Sequence, residues 1–361
     1  MAVARHKGGP DGRRLMPDIQ IAELTPNTRS AWDAYVNAHP DSTVSHHRAW
    51  QVAATAAYPV REHSLVAHRP DGALAGVLPL FLVDNKVAPY AVTGVFGAYG
   101  RVLADSPELG LGLLQEAWSR MRRAGARHLL HKSVGAPERA PEDWHRSDAA
   151  LTAVLSLEQG PEALWKGFRS EIRNRIRKAE RAGLEPRSGS GEFEGFYDVL
   201  AANMHRKGTP TYGRPFLRSL LTAFGDRAEI LTLRHNGRVI AGAFVVEHRG
   251  VVNVPFVSAR AEFFALAPAN LLYWEIMRRG CGRGMTTLDF GRSFRDTSNL
   301  DFKTRFGAAI VPQPFLFAHS GAPPHVEPGD PSVQRLVRVW QSLPRGLADR
   351  LGPWICGRFL V

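Results

Sequence analysis

Two distant stretches of the chain carry one pattern. Leu65-Val66-Ala67-His68-Arg69-Pro70-Asp71-Gly72-Ala73-Leu74-Ala75-Gly76 lies over Leu231-Thr232-Leu233-Arg234-His235-Asn236-Gly237-Arg238-Val239-Ile240-Ala241-Gly242 with one gap, and both end in Ala-Gly before an apolar run. Each reads as two strands around a turn. Arg69-Pro70-Asp71-Gly72 marks the first turn and Asn236-Gly237 the second, where both turn positions need positive φ. An internal repeat constrains the fold more than local propensity does, because the repeated unit must fold twice. The surroundings repeat as well, in the order helix, helix, hairpin, strand, helix, strand. In the first half Trp32, Tyr35 and Val36 share one helical face and Trp50, Ala53, Ala54 and Ala57 another. Strands are predicted over 64–67, 74–83, 127–132 and 151–157, and a helix over 109–123 with Gly125 after its end. In the second half helices are predicted over 161–182, 193–205, 215–224 and 269–279, and strands over 229–234, 238–247, 251–258 and 287–290. This alternation predicts an α/β fold of two tandem domains, each a mixed central sheet flanked by helices, with a C-terminal helical tail. The expected boundaries are a disordered leader over 1–18, a first domain over 19–157, a second over 158–318, and a linker and amphipathic tail over 319–361.

A length of 361 residues fits two domains of about 150 residues each. Hydrophobic residues at 44% and charged residues at 22% allow a packed core and exclude global disorder. The formal charge of +12 favours anionic partners such as nucleic acid, phosphorylated donors or an anionic membrane face. Two cysteines, Cys281 and Cys356, cannot build a disulfide framework or a four-thiolate zinc site. No run of about 18 apolar residues is present, and the basic, Gly-rich leader lacks the apolar stretch of a secretory signal. The expected location is cytoplasmic. In the tail Val333, Leu336, Val337, Trp340, Leu343, Leu347, Leu351, Trp354 and Ile355 recur at helical spacing with arginines between them. Such a tail either docks on the core or lies against the inner face of an anionic membrane.

Several chemistries are absent from the sequence: no G-x-S-x-G, no H-E-x-x-H, no P-loop and no dinucleotide fingerprint, and no metal or cofactor is expected. His46 and His47 are adjacent, too close to face one metal from a helix, and read as a helix start or a polar contact. Arg279-Gly280-Cys281-Gly282-Arg283-Gly284 is similar to the R-x-x-G-x-G string with which GNAT acetyltransferases hold the pyrophosphate of CoA. Here it follows a helix and reads as a helix C-cap. The place where such a loop should stand, after 251–258, has no glycine. Residues 165–187 hold eight basic and three acidic side chains. Leu164, Phe168, Ile172, Ile176 and Ala179 form an apolar stripe, and Arg169, Arg173 and Arg177 a basic one beside Lys178. That face is either solvated or a phosphate contact. The densest polar cluster is Asp289-Phe290-Gly291-Arg292-Ser293 with Asp301-Phe302-Lys303-Thr304-Arg305-Phe306-Gly307. Lys303 stands between two phenylalanines, where a cation stabilises a developing oxyanion or a phosphate; the other reading is an Asp289–Arg292 ion pair that fixes the loop.

These segments resemble the FemAB-like acyltransferases of the GNAT superfamily. The resemblance rests on Phe168-Arg169-Ser170-Glu171-Ile172-Arg173-Asn174-Arg175-Ile176-Arg177-Lys178-Ala179-Glu180, Arg206-Lys207-Gly208-Thr209-Pro210, Pro268-Ala269-Asn270-Leu271-Leu272-Tyr273-Trp274, the Asp289 cluster and Phe302-Lys303-x-x-Phe306-Gly307. It covers roughly residues 19–317 and is nearest to the branch associated with exosortase and exopolysaccharide systems. It implies two GNAT-like domains around a cleft, and transfer of an aminoacyl group from aminoacyl-tRNA to an amine of a cell-envelope, exopolysaccharide or small-metabolite acceptor. No long helical-hairpin insertion for tRNA is present. The alternatives are an acyl-CoA-dependent N-acyltransferase and a non-catalytic module that binds an anionic ligand. The expected catalytic residues are Lys303, Asp289 and Arg292. Asn270, Tyr273, Ser293 and Arg305 are expected to bind substrate, and Arg169, Arg173, Arg177 and Lys178 the donor phosphates.

Overall fold

A computed structural model describes residues 18–85, 88–135, 138–320 and 331–359. The expected leader and most of the linker before the tail lie outside the described residues.

The repeated hairpin forms twice. Leu65–His68 pairs with Leu74–Leu78, and Ala228–His235 with Arg238–His248, both antiparallel. The shared glycine has one role in both. A Cβ on Gly76 would stand 2.9 Å from Leu113 Cδ1, and one on Gly242 3.1 Å from Phe196 Cδ2. Each glycine therefore lets a side chain of an overlying helix, Pro107–Arg123 or Phe193–Arg206, press onto the hairpin.

The first half divides its strands between two sheets. An antiparallel sheet runs Gln20–Glu23, Leu65–His68, Leu74–Leu78, Leu103–Ala104. A mixed sheet runs Val60–Glu62, Phe81–Val83, Tyr90–Val92, His128–Lys132, Phe315–His319, His145–Ser147. The strand expected over 74–83 breaks at Pro79, which has no N–H for a ladder, and its two parts enter different sheets. The second half forms one mixed seven-stranded sheet in the order Glu185–Ser188, Ala228–His235, Arg238–His248, Val251–Ala259, Thr287–Phe294, Ala150–Ser156, Ala309–Pro312.

The boundary expected at 157/158 does not coincide with this division. Ala150–Ser156 lies inside the seven-stranded sheet, paired with Thr287–Phe294, and Phe315–His319 returns to pair with His128–Lys132. The two halves thus exchange strands at their margins. Two local expectations also change. The helix over 161–182 is two helices, Gly160–Gly167 and Ser170–Arg181, because Phe168 leaves helical geometry and buries its ring against Trp274 and Phe306. The polar stretch before Lys303 is not a loop throughout. The strand continues to Phe294, and a short helix, Ser298–Thr304, carries Lys303.

One apolar cluster spans both halves and the tail. Trp50, Phe81 and Phe96 from the first half meet Phe196, Phe216, Phe244 and Phe256 from the second, with Cys356 of the tail among them. The tail is a pair of helices, Pro331–Ser342 and Arg345–Phe359, and it docks on the core. Trp340, Ala348, Gly352 and Cys356 face inward. A Cβ on Gly352 would sit 2.9 Å from Thr211 N, so the second helix approaches backbone there. The Arg345 guanidinium grips Asp198, and Gln341 Nε2 donates to Arg206 O at 2.8 Å.

Candidate active site

The seven-stranded sheet opens at one place. Val251–Ala259 and Thr287–Phe294 run parallel and pair only over Val251↔Thr287, Val252↔Leu288 and Asn253↔Asp289. Beyond that the second strand bends at Gly291 (φ +75°) and continues along Ala150–Ser156. A Cβ at Gly291 would lie 2.8 Å from Val254 O, so glycine is required both for the left-handed φ and for the close approach. The bend leaves that edge of 254–259 without ladder partners on the Thr287–Phe294 side, opening a wedge within the sheet.

Polar side chains hold the bend. Asp289 is buried, and its carboxylate accepts from Tyr99 Oη at 2.5 Å, Thr152 Oγ1 at 2.6 Å and Gly291 N at 2.9 Å. Tyr99 comes from the first half, so Asp289 ties the halves together at the wedge. Burial and the adjacent carboxylate push the Tyr99 hydroxyl well above its ordinary range. Lys303 is 2% exposed, and its ammonium donates to Gly291 O at 2.6 Å and Arg292 O at 3.2 Å. Two of its three donor positions are thereby used. Desolvation lowers its pKa to about 8, against the opposing pull of Asp289. Among the described residues Arg292 forms no ion pair with Asp289; its guanidinium lies over the Phe315 ring, 5.8 Å from the centroid. Ser293 Oγ accepts from Asn299 Nδ2 at 3.1 Å. Lys132, fully buried on the neighbouring sheet, donates to Gly94 O at 2.8 Å, and burial holds its ammonium well below the ordinary lysine range.

The remaining expected residues separate into groups. Asn270 and Arg305 line a cavity of about 240 Å³ with Ile172, Arg175, Ser298, Asp301 and Phe302. Asn270 is 4% exposed, and its Nδ2 has no partner among the described residues. It stands in the first turn of the helix Pro268–Gly282, where backbone N–H groups favour anions. An adjoining depression of about 660 Å³ is lined by Arg175, Lys178, Asn174, Glu171 and the turn before that helix. Glu171 Oε1 accepts from both Arg175 and Arg305 at 3.1 Å, which leaves the rim with net positive charge. Tyr273, three residues after Asn270, is instead core, packed on Phe290, Phe302 and Phe306.

The stripe of Arg169, Arg173 and Arg177 does not line these cavities. Arg173 donates to the carbonyls of Lys166 and Phe168, so it caps the end of Gly160–Gly167. Arg177 lies 5.4 Å from the Trp165 ring centroid, and Arg169 is exposed where the helix begins. The break at Phe168 folds the preceding helix back onto that face. Sequence reasoning missed Arg175, although Glu171 at i−4 signals an oriented pair. It also missed Tyr99 and Thr152, which sit 190 and 137 residues from Asp289 and leave no local signal. The glycine string after Arg279 is the end of a helix, with Arg279 and Arg283 bound to Glu229. His47 Nδ1 accepts from Ala49 N at the start of Arg48–Ala57, and His46 is buried in hydrogen bonds to Thr43 and Arg101.

Residues 166–304, which hold most of the second half, match the family model described as an acetyltransferase (GNAT) domain. Solved structures extend the likeness to the whole architecture. FemX is 14% identical, with 82% of this chain and 96% of that one covered and a TM-score of 0.64. A tandem GNAT protein from the clavulanic acid biosynthesis pathway is 16% identical over 85% and 100% of the two chains, with a TM-score of 0.57. The L-PGS of Bacillus licheniformis is 11% identical over 89% and 98%, with a TM-score of 0.53. At these identities the likeness is one of fold, shared with FemX and with the tandem GNAT protein. No curated protein matches this chain.

Proposed function

We propose that the protein is an N-acyltransferase that moves an acyl group from an activated, phosphate-bearing donor to an amine, with aminoacyl-tRNA as the favoured donor. The opened strand pair carries the reading. The bend at Gly291 is bonded to Lys303, and the adjacent Phe302 lines the cavity at a helix N-terminus whose rim holds Arg175, Lys178 and Arg305. The donor phosphates rest on that rim and on the first amides of Pro268–Gly282. The acyl carbonyl enters the wedge, and the neutral amine attacks it. The new C–N bond forms as the C–O bond of an ester, or the C–S bond of a thioester, breaks. The amine gives up a proton and the leaving oxygen or sulfur receives one. Holding both reactants in one cleft supplies much of the rate.

On this reading Lys303 fixes the bend through two carbonyls and offers its third N–H to the tetrahedral oxyanion. Asp289, with three donors already on its carboxylate, is a positioning residue that holds Tyr99 and the Gly291 turn. Side-chain grip favours a tRNA donor over CoA, because Ala261–Leu266, which leads into the helix, is a 3-10 turn with no glycine. The acceptor belongs to the amines of the cell envelope, an exopolysaccharide or a small metabolite.

The test is single-turnover transfer from aminoacyl-tRNA and from acyl-CoA to a panel of amines, with Lys303→Ala alongside. Transfer from aminoacyl-tRNA that falls about 10²–10³-fold in the variant supports the reading. Transfer from acyl-CoA alone reverses the donor assignment. Donor binding that persists in Lys303→Ala, with no turnover by either protein, makes it a binding module.

A further inference from the structure

The tail docks on the core and yet keeps a second, outward apolar face. Among the described residues nine large apolar side chains are exposed, and six of them lie on the two tail helices: Leu336, Val339, Leu347, Leu351, Trp354 and Phe359. Ala348, Gly352 and Cys356, one turn apart, form the inward stripe of the second helix. Leu347, Leu351 and Trp354, at i, i+4 and i+7, form the opposite one. The burial of Cys356 and Gly352 leaves no freedom for the helix to roll and hide these side chains.

The charge on this face is of one sign. Arg335, Arg338 and Arg350 are exposed, and Arg358 lies over the Trp354 ring, 4.7 Å from the centroid. The single carboxylate of the described tail, Asp349, pairs with Arg345, which also binds Asp198 on the core side. Exposed leucines and a tryptophan among arginines that form no ion pair with the described residues match the boundary of an anionic bilayer, where rings and leucines enter the acyl edge and guanidinium groups stay at the phosphates. A protein partner would satisfy the apolar side chains but supplies no reason for uniform positive charge around them. No described helix is long and apolar enough to cross a membrane, so contact of this kind is peripheral.

We infer that the outward face of Pro331–Ser342 and Arg345–Phe359 docks the folded protein on an anionic lipid surface. This is independent of the reaction assigned to the cleft and stands or falls without it.

The experiment is sedimentation of the full chain with vesicles of phosphatidylcholine alone and with added phosphatidylglycerol, at two salt concentrations. Sedimentation with the anionic vesicles is expected, weakening as salt rises. Leu351→Ser with Trp354→Ser should lower the partition coefficient at least about tenfold, from the apolar area withdrawn. Arg335→Gln with Arg338→Gln should lower it about fivefold per residue, because each cation near such a surface contributes on the order of 1 kcal/mol. All four positions are exposed, so the thermal midpoint should hold, and a circular dichroism melt checks it. Equal partition of wild type and both variants overturns the proposal. So does concentration-dependent dimerisation that the Leu351 and Trp354 changes abolish without any vesicle binding, since the face would then serve a second copy.

Discussion

Lys303 is a charged group held where charge is costly, and its environment makes pH the informative variable. Its pKa in the fold is about 8, against an ordinary value near 10.5. Between those values the unfolded chain binds a proton that the folded chain does not, so this group makes stability rise with pH across the window. Lys303→Met should flatten that rise in a denaturant titration between pH 8 and 10. Activity should move the other way: an oxyanion donor must be protonated, so kcat should fall above about pH 8, and Lys303→Arg should shift that limb upward. An unchanged limb in the arginine variant would assign it to another group. His46 gives the opposite pH window. Burial holds its pKa at about 4, below the ordinary 6.5. Its contribution is therefore intact at pH 7 and declines as pH falls from 6.5 toward 4, by about 1.4 kcal/mol per unit. His46→Gln should remove that part of the acid sensitivity, measured as the difference in urea midpoints at pH 7 and pH 5.

At the scale of elements, the bend and the rim can be tested apart. Gly291→Ala meets both a disfavoured φ and Val254 O at 2.8 Å. It should cost about 2 kcal/mol or more in unfolding free energy, or displace the strand and abolish transfer. Arg175→Gln with Arg305→Gln should weaken donor binding and reduce its dependence on salt, because two cations leave the rim. Arg173→Gln should instead lower the thermal midpoint and spare donor binding, since its guanidinium caps a helix. Equal loss of donor binding in both would show that the stripe also reaches the donor. This contrast also shows how far the sequence was legible. The apolar stripe through Ile172 and Ile176 and the Asn236-Gly237 hairpin follow from periodicity and turn chemistry, and the structure has both. Which arginines line the cavities does not follow. That depends on the break at Phe168, which the helical spacing of Leu164, Phe168 and Ile172 conceals although Gly167 stands beside it, and on the packing of Trp165 and Trp274. The partners of Asp289 were out of reach for a related reason: a tyrosine 190 residues away becomes a neighbour only when two sheets meet.

At the scale of the molecule, the halves behave as one body. The shared cluster around Trp50, Phe216 and Phe256, the Tyr99–Asp289 hydrogen bond and the bond from Gly213 N to Tyr58 Oη at 2.6 Å cross between them. Urea unfolding followed by tryptophan fluorescence and by circular dichroism should give coincident transitions. A fragment of residues 158–318 lacks Ala150–Ser156 and the first-half share of the core, and should not fold cooperatively. Two separated transitions in the full chain would refute this. The exchanged strands also bear on how the chain is made. Phe315–His319 sits in the six-stranded mixed sheet between His128–Lys132 and His145–Ser147, yet it is synthesised after the whole second half. The usual order of synthesis, in which an N-terminal domain is finished before the next emerges, cannot complete this one. Until about residue 319 leaves the ribosome, the mixed sheet keeps two raw edges, on His128–Lys132 and His145–Ser147. The nascent chain is then exposed to wrong pairing for as long as the whole second half takes to be made.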